Sequence, residues 1–123
     1  MVAIGKKLWA VSGGSIPLNT SGDEPAFTSR DWISVLNTTG KEAVIHLTVF
    51  YNDRDPITGY EYKIGPHRLK KIRFNDLINP YPVPLGEPFG CLITSSCKVV
   101  VQFSRMDTSS RHHSIMGTVA YSE

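Results

Sequence analysis

The 123-residue sequence has little excess charge of either sign and no long hydrophobic run. Its 13 basic and 11 acidic side chains leave a formal net charge of +2, too small to bring the whole molecule onto nucleic acid or an anionic membrane without a local patch. The longest apolar segments, residues 43–51 and 98–103, are far shorter than the roughly 18 residues of a membrane-spanning helix. No hydrophobic region follows Lys6 and Lys7, so no secretory signal is predicted.

Cysteine is also scarce, with Cys91 and Cys97 as the two thiols. Because no export signal is predicted, we expect a cytoplasmic protein in which both thiols stay reduced. A hairpin disulfide between them is the alternative if the chain is exported by another route.

Motifs that carry catalysis are missing as well. The sequence has no Walker-type phosphate loop, no Gly-x-Ser-x-Gly elbow and no His-Glu-x-x-His zinc motif. The glycine-rich segment Ser12–Ser15 precedes no predicted helix, so it is interpreted as a turn. His112 and His113 are adjacent and would point to opposite faces of a strand, which favours a structural or solvated role over metal binding. We therefore predict no enzyme activity, no cofactor and no metal site.

The sequence does contain turn-forming residues at regular intervals. Glycine, proline, asparagine and aspartate recur at the spacing of roughly 8–12 residues that is typical of antiparallel sandwiches and barrels. The β-rich runs between them are Lys7–Val11, Trp32–Leu36, Ala43–Tyr51, Tyr60–Ile64, Leu69–Phe74, Cys91–Thr94, Val99–Arg105 and Ile115–Tyr121. The prediction is an all-β fold: one antiparallel β-sandwich domain over residues 1–123, with about eight strands.

Three segments refine this prediction. In residues 43–51, the odd-numbered positions are uniformly apolar and should face the core. Residues 74–78 are the best candidate for a short helical turn, which Asn75 or Asp76 could cap. The proline-rich segment 79–84 should then run extended.

The run from His67 to Arg73 is the one basic cluster. If it forms a strand, Arg68 and Lys70 point one way and Lys71 and Arg73 the other, so only half of the charge shares a surface. A solvated sheet edge protected by lysine is the first interpretation, and a nucleic-acid contact is the alternative.

Several polar side chains occur where a sheet would bury them. Gln102 and Arg105 interrupt or end an apolar run, and Arg73 precedes Asn75 and Asp76. Buried polar groups need partners, so these residues form either an internal network at the strand ends or a polar ligand pocket. In the second case an aromatic wall such as Trp9 would suit the apolar face of a sugar ring.

The sequence resembles the sensory rhodopsin transducer family along nearly its whole length. The segments that carry the resemblance occur in order: Trp9-Ala10, Gly14-x-Ile16-Pro17, Glu24-Pro25-x-Phe27, Val35-Leu36-Asn37, Thr48-Val49-Phe50-Tyr51, Arg73-Phe74-Asn75-Asp76-Leu77, Pro82-Val83-Pro84, Val100-Val101-Gln102-x-Ser104-Arg105-x-Asp107 and Thr118-Val119-Ala120-Tyr121. The resemblance implies a cytoplasmic β-sandwich that forms a homotetramer. The namesake of the family contacts the cytoplasmic side of a seven-helix photoreceptor, so the expected partner is a membrane photoreceptor or another signalling protein.

The resemblance supports one expected function and leaves two alternatives. The expected function is that of a non-enzymatic signalling protein that relays a signal by protein–protein contact. The alternatives are a small-ligand module for carbohydrate-like molecules and a DNA-binding regulator, since members of the family have been suggested to bind either. The polar and aromatic residues of the matching segments form the expected ligand site: Trp9, Glu24, Arg73, Asn75, Asp76, Gln102, Arg105 and Asp107.

Overall fold

The computed structural model describes residues 2–18, 29–108 and 114–123, and these residues form eight strands and one short 3₁₀ helix. The strands are β1 Lys6–Gly14, β2 Arg30–Asn37, β3 Ala43–Phe50, β4 Ile57–Ile64, β5 Arg68–Arg73, β6 Phe89–Asp107, β7 Ser114–Val119 and β8 Tyr121–Ser122, with the 3₁₀ helix at Phe74–Asp76. In the described ranges no helix is long and apolar enough to cross a bilayer.

Strand β6 organises the fold because it belongs to both layers. Its first half pairs with β1 and β3, and its second half pairs with β2 and β7. Between the halves, Lys6 lies opposite Val99 while Leu8 lies opposite Thr94, so several residues of β6 oppose one residue of β1. Such a bulge bends a strand and lets it pass from one sheet to another. The order is β4-β3-β6-β1-β8 in one layer, and β5-β2-β6-β7 in the other. The predicted all-β antiparallel fold is confirmed.

Alternation of side chains builds a core between the two layers. In β3, Ala43, Ile45, Leu47 and Val49 are buried, as the sequence pattern predicts. The inward residues of β2 and β6 close the other side, and Phe74 packs between them, 4.8 Å from Phe89 by ring centroids. Each fully buried aliphatic side chain contributes roughly 1.5–3 kcal/mol, so this alternation is the main source of stability.

Besides shifts of up to three residues at strand ends, three features differ from the sequence prediction. The runs Cys91–Thr94 and Val99–Arg105 are parts of the single strand β6, because the polar residues between them stay extended through the bulge. The run Ile115–Tyr121 is divided at Ala120 into β7 and β8. The helical turn has one 3₁₀ turn, and neither Asn75 nor Asp76 caps it, because Arg73 holds the cap position without a side-chain bond.

Both cysteines are free thiols, which overturns the alternative of a hairpin disulfide. They are six positions apart on extended strand, about 20 Å at 3.3 Å per residue, and a disulfide needs Cα atoms within about 7 Å. Cys91 is buried in the core, and this burial raises the pKa of its thiol to about 12. Cys97 lies in the bulge and is partly exposed.

Candidate functional site

A buried ion pair joins the beginning of β2 to the end of β6. Asp31 is fully buried, and Arg105 lies directly opposite it in the sheet. The guanidinium donates from Nε to Oδ1 at 2.8 Å and from Nη2 to Oδ2 at 3.0 Å. This bidentate geometry is the strongest form of Arg–carboxylate pairing, and the Asp31 carboxylate raises the pKa of Arg105.

The same pair also holds the end of β1. The backbone N–H of Ser15 donates to Asp31 Oδ2 at 2.7 Å, and Arg105 Nη2 donates to the carbonyl of Gly13 at 3.0 Å. Three strand ends therefore meet at one carboxylate. Asp107 interacts electrostatically with Arg105 from the last position of β6 and further raises the pKa of the guanidinium.

A second polar group lies beside this pair, around Ser29. Asn75 Nδ2 donates to the carbonyl of Ser29 at 3.1 Å, and the Ser29 hydroxyl lies 3.0 Å from the hydroxyl of Thr108. Arg73 Nε is 3.6 Å from a carboxylate oxygen of Asp76, which is mostly exposed. We call the residues Ser29, Asp31, Arg73, Asn75, Asp76, Arg105 and Thr108 the β2 corner.

Two atoms of the β2 corner lack hydrogen bonds. Arg73 Nε and Asn75 Oδ1 are both buried, and neither has a hydrogen-bond partner among the described residues. Leaving a buried polar atom unsatisfied costs about 1–3 kcal/mol, so each such atom needs an explanation, and a bound group is one of those available.

The structure separates Trp9 and Gln102 from the β2 corner. Trp9 is 5% exposed and its ring N–H donates to the carbonyls of Lys6 and Val99, at 3.0 and 3.1 Å. It is therefore a core residue and presents no open aromatic wall. Gln102 is exposed and lies opposite Val119, while Glu24 lies outside the described residues.

Sequence reasoning missed Ser29, Asp31 and Thr108, all of which are buried. A signal for Asp31 was available, because it begins the inward series Asp31, Ile33, Val35 that the alternation of β2 defines. The described part of the chain holds no cluster of three His, Cys, Asp or Glu side chains suited to a metal ion. His112 and His113 lie outside the described residues.

The basic run forms β5, and its charges divide between two faces. Lys71 Nζ lies 5.9 Å from the centre of the Trp32 ring, and the Arg30 guanidinium lies 5.3 Å from the same ring. Lys70 instead faces Tyr62, at 5.8 Å. Cations at these distances interact with the electron-rich ring faces, so this surface of β5 and β2 is basic and aromatic.

Strand β7 is the most exposed element of the described structure. All six of its residues are exposed, and in the described ranges it pairs along one side alone, with β6. Its apolar side chains are far from buried: Ile115 is 69% and Val119 is 72% exposed. A groove of about 340 Å³ runs beside it, lined in part by Met116 and Tyr121. We call the open side of β7 with these four side chains the β7 edge.

Comparison with known proteins decides the family. The family model described as Anabaena sensory rhodopsin transducer matches residues 4–122, almost the entire chain. The chain belongs to this family. The resemblance inferred from the sequence segments is thus confirmed.

Solved structures agree with this assignment. The Anabaena sensory rhodopsin transducer is 33% identical, with a TM-score of 0.75, and the match covers 84% of this chain and 97% of that one. The crystal structure of Thermotoga maritima 1070 is 28% identical, with a TM-score of 0.86 and coverage of 97% and 96%. No curated protein matches the chain. This member of the sensory rhodopsin transducer family therefore shares its fold with proteins from Anabaena and Thermotoga maritima.

Proposed function

We propose that this chain is a non-enzymatic signalling protein that acts in the cytoplasm and relays its signal by protein–protein contact. Family membership supports a role as a transducer, and the name of the Anabaena relative associates it with sensory rhodopsin. The observation that carries the proposal is the β7 edge, which combines backbone groups without a strand partner in the described ranges with exposed apolar side chains.

An edge of this kind is suited to contact with another protein. Unpaired strand edges template pairing with a further strand, and monomeric proteins normally protect them with charge, proline or a covering segment. In β7 the described side chains are uncharged, and Ile115, Met116 and Val119 would add apolar contact area. Antiparallel pairing of two identical edges gives a symmetric interface, so we propose a second copy of the chain as the occupant. Two such dimers would form the homotetramer that the family resemblance implies.

Light scattering on the double variant Ile115→Lys/Val119→Lys tests this interface. Two lysines on the edge should prevent pairing and reduce the particle mass below that of the parent. Ile78→Lys is the matched control, because Ile78 is 70% exposed and lies outside β7. A parent of 13.6 kDa at micromolar concentration, or an edge variant that keeps the parent's mass, would contradict the proposal.

The proposed partner in the relay is a membrane photoreceptor or another signalling protein. Binding can be measured by passing the purified protein over a microbial sensory rhodopsin held in lipid nanodiscs, with empty nanodiscs as the control. We expect saturable binding that the empty nanodiscs do not show. Equal signals from loaded and empty nanodiscs would argue against this photoreceptor as the partner.

A second candidate function is binding of a carbohydrate-like ligand at the β2 corner. The unsatisfied Arg73 Nε and Asn75 Oδ1 favour it, because sugar hydroxyls can both accept from the first and donate to the second. Thermal-shift screening against sugars should then find a stabilising ligand, whose effect Asn75→Ala removes. Gln102→Ala is the comparison, since Gln102 lies apart from the corner. If Asn75→Ala binds the same sugar as well as the parent does, the site is elsewhere.

A further inference from the structure

A cleft of about 530 Å³ lies where β6 leaves one layer for the other, outside the β2 corner and the β7 edge. Its walls include Lys7 of β1, Lys98 of β6, Lys41 and His67 from two loops, and the side chains of Ser96 and Cys97. Among the described residues, no Asp or Glu lines it. We call it the lysine cleft.

The bulge in β6 creates this arrangement. Lys7 falls between the pairs Lys6–Val99 and Leu8–Thr94, so the four residues 95–98 of β6 lie opposite this single residue of β1. In a regular strand, neighbouring side chains point to opposite faces of the sheet, and a bulge changes these directions. Here the extra residues bring Ser96, Cys97 and Lys98 to the same cleft as Lys7.

Asn37 fixes the two loops that complete the cleft. Its buried amide donates to the carbonyls of Lys41, Ile64 and Gly65, at 2.8, 3.3 and 3.1 Å. Its oxygen accepts from the backbone N–H and the hydroxyl of Thr39. The backbone N–H of His67, which has a positive φ of 55°, donates to the Thr39 carbonyl at 3.1 Å. Both loops of the cleft are therefore fixed before any ligand arrives.

The lysines of the cleft have no acidic partner among the described residues. Lys7, Lys41 and Lys98 form no ion pair with any described residue, although the acidic and basic totals of the chain are nearly equal. Like charges gathered on one concave surface repel one another and focus a positive potential into the cleft. A bound anion would remove that repulsion.

Two hydroxyl groups add donors to the positive charge. Thr38 Oγ1 accepts from the N–H of Ile4 at 3.1 Å, and Ser96 Oγ accepts from the N–H of Val44 at 2.9 Å. Neither hydroxyl proton has an acceptor among the described residues, so each can donate to an incoming oxygen. Lysine, histidine and hydroxyl donors together suit a tetrahedral oxyanion with several acceptor oxygens.

We infer that the lysine cleft binds a small phosphorylated metabolite through its phosphate group. Its volume lies in the range of about 300–1,000 Å³ that is usual for small-molecule sites. The phosphate oxygens take the positive charge of the three lysines and the hydroxyl protons, and the rest of the molecule occupies the remaining volume. This inference does not depend on the proposed protein contacts, because the lysine cleft and the β7 edge share no residue.

Cys97 provides a reporter inside the cleft. It is partly exposed there, while Cys91 is buried in the core, so N-ethylmaleimide should modify Cys97 alone. The probe is inorganic pyrophosphate, tested against sodium chloride at equal ionic strength. At ten times its Kd the probe leaves roughly a tenth of the sites open, so modification of Cys97 should slow about tenfold. The melting temperature should rise in the same samples.

Two variants of equal net charge show whether pyrophosphate binds at the cleft or is attracted by the overall charge of the protein. Lys41→Gln/Lys98→Gln removes two cleft lysines, and Lys63→Gln/Lys70→Gln removes two exposed lysines elsewhere. Protection and stabilisation by pyrophosphate should disappear in the first variant and persist in the second. Glucose 6-phosphate and ADP, against glucose and adenosine, then show whether the bound metabolite is a sugar phosphate or a nucleotide.

The contrary results are equally clear. The inference is overturned if chloride protects Cys97 as well as pyrophosphate does, or if pyrophosphate protects the Lys41→Gln/Lys98→Gln variant. It is also overturned if neither rate nor melting temperature responds to any phosphate compound. Protection by duplex DNA without protection by pyrophosphate would likewise reject it, in favour of a macromolecular contact.

Discussion

Replacing Arg105 by alanine should destabilise the protein far more than removing an exposed arginine. The change deletes the two bonds from the guanidinium to Asp31, at 2.8 and 3.0 Å, and the bond to the Gly13 carbonyl at 3.0 Å. Asp31 is fully buried, and of the side-chain hydrogen bonds that the described residues give it, the one from the Ser15 N–H would remain. A buried carboxylate is thereby left without its counter-charge.

The magnitude follows from this burial. Breaking one side of a buried ion pair typically costs about 3–5 kcal/mol. Arg105 itself is 22% exposed, so water can partly solvate the space it vacates and the lower end of that range applies. A loss of about 3 kcal/mol is a large part of the roughly 5–15 kcal/mol that stabilises an ordinary domain.

Urea denaturation at one fixed protein concentration measures the loss. Arg54→Ala is the control, because Arg54 also bonds two carboxylates, at 2.9 and 2.6 Å, but on the surface. Its effect should be small, since exposed ion pairs contribute little. Asp31→Asn/Arg105→Met should cost less than Arg105→Ala, because it removes the buried charge as well. A loss below about 1 kcal/mol for Arg105→Ala, the value typical of exposed pairs, would refute the reasoning.

Three further predictions concern single features. Gly5→Ala should lower stability by at least about 1 kcal/mol in thermal unfolding, since Gly5 has φ of 108° and a Cβ there would clash with the backbone carbonyl oxygen of Val99 in β6. Burial raises the pKa of Tyr60 and Tyr62, so the stability that their neutral forms contribute is complete below pH about 10 and is lost as the pH rises above it. Absorbance at 295 nm should show the late ionisation of these tyrosines across pH 8–12, and the melting temperature should fall over the same range. At pH 8, N-ethylmaleimide should modify Cys97 within minutes and leave Cys91 intact, because burial raises the pKa of Cys91 to about 12; mass spectrometry of the modified peptides reads the difference.

Strand positions and the core could be predicted because they depend on local pattern. The alternation in β3 and the spacing of turn residues indicate which side chains face inward without knowledge of the partner strand. Strand pairing is less local. Two predicted runs join into the single strand β6 because of a bulge. The bulge forms against β1, which lies more than eighty residues earlier in the chain. Nothing within residues 95–98 themselves indicates that the strand continues.

The candidate sites were harder to predict because their residues come from distant parts of the sequence. Asp31 and Arg105 are 74 positions apart, and nothing in the residues around Arg105 indicates that Asp31 is its partner. The lysine cleft likewise joins Lys7, Lys41 and Lys98 through three different elements. Trp9 shows the opposite error, since an aromatic residue in a matching segment was interpreted as a ligand wall although its ring lies in the core.

Hydrogen–deuterium exchange in β7 tests the central claim, that the β7 edge is a protein-contact surface, most directly. The amides of β7 that point away from β6 have no strand partner in the described ranges, so they should exchange quickly unless another chain pairs with them. We predict slow exchange throughout residues 114–119 at micromolar concentration, and fast exchange of the outward amides in Ile115→Lys/Val119→Lys. Residues 43–50 of β3, which pair with strands on both sides, should stay protected in both proteins. Fast exchange of the outward β7 amides in the parent protein would contradict the account.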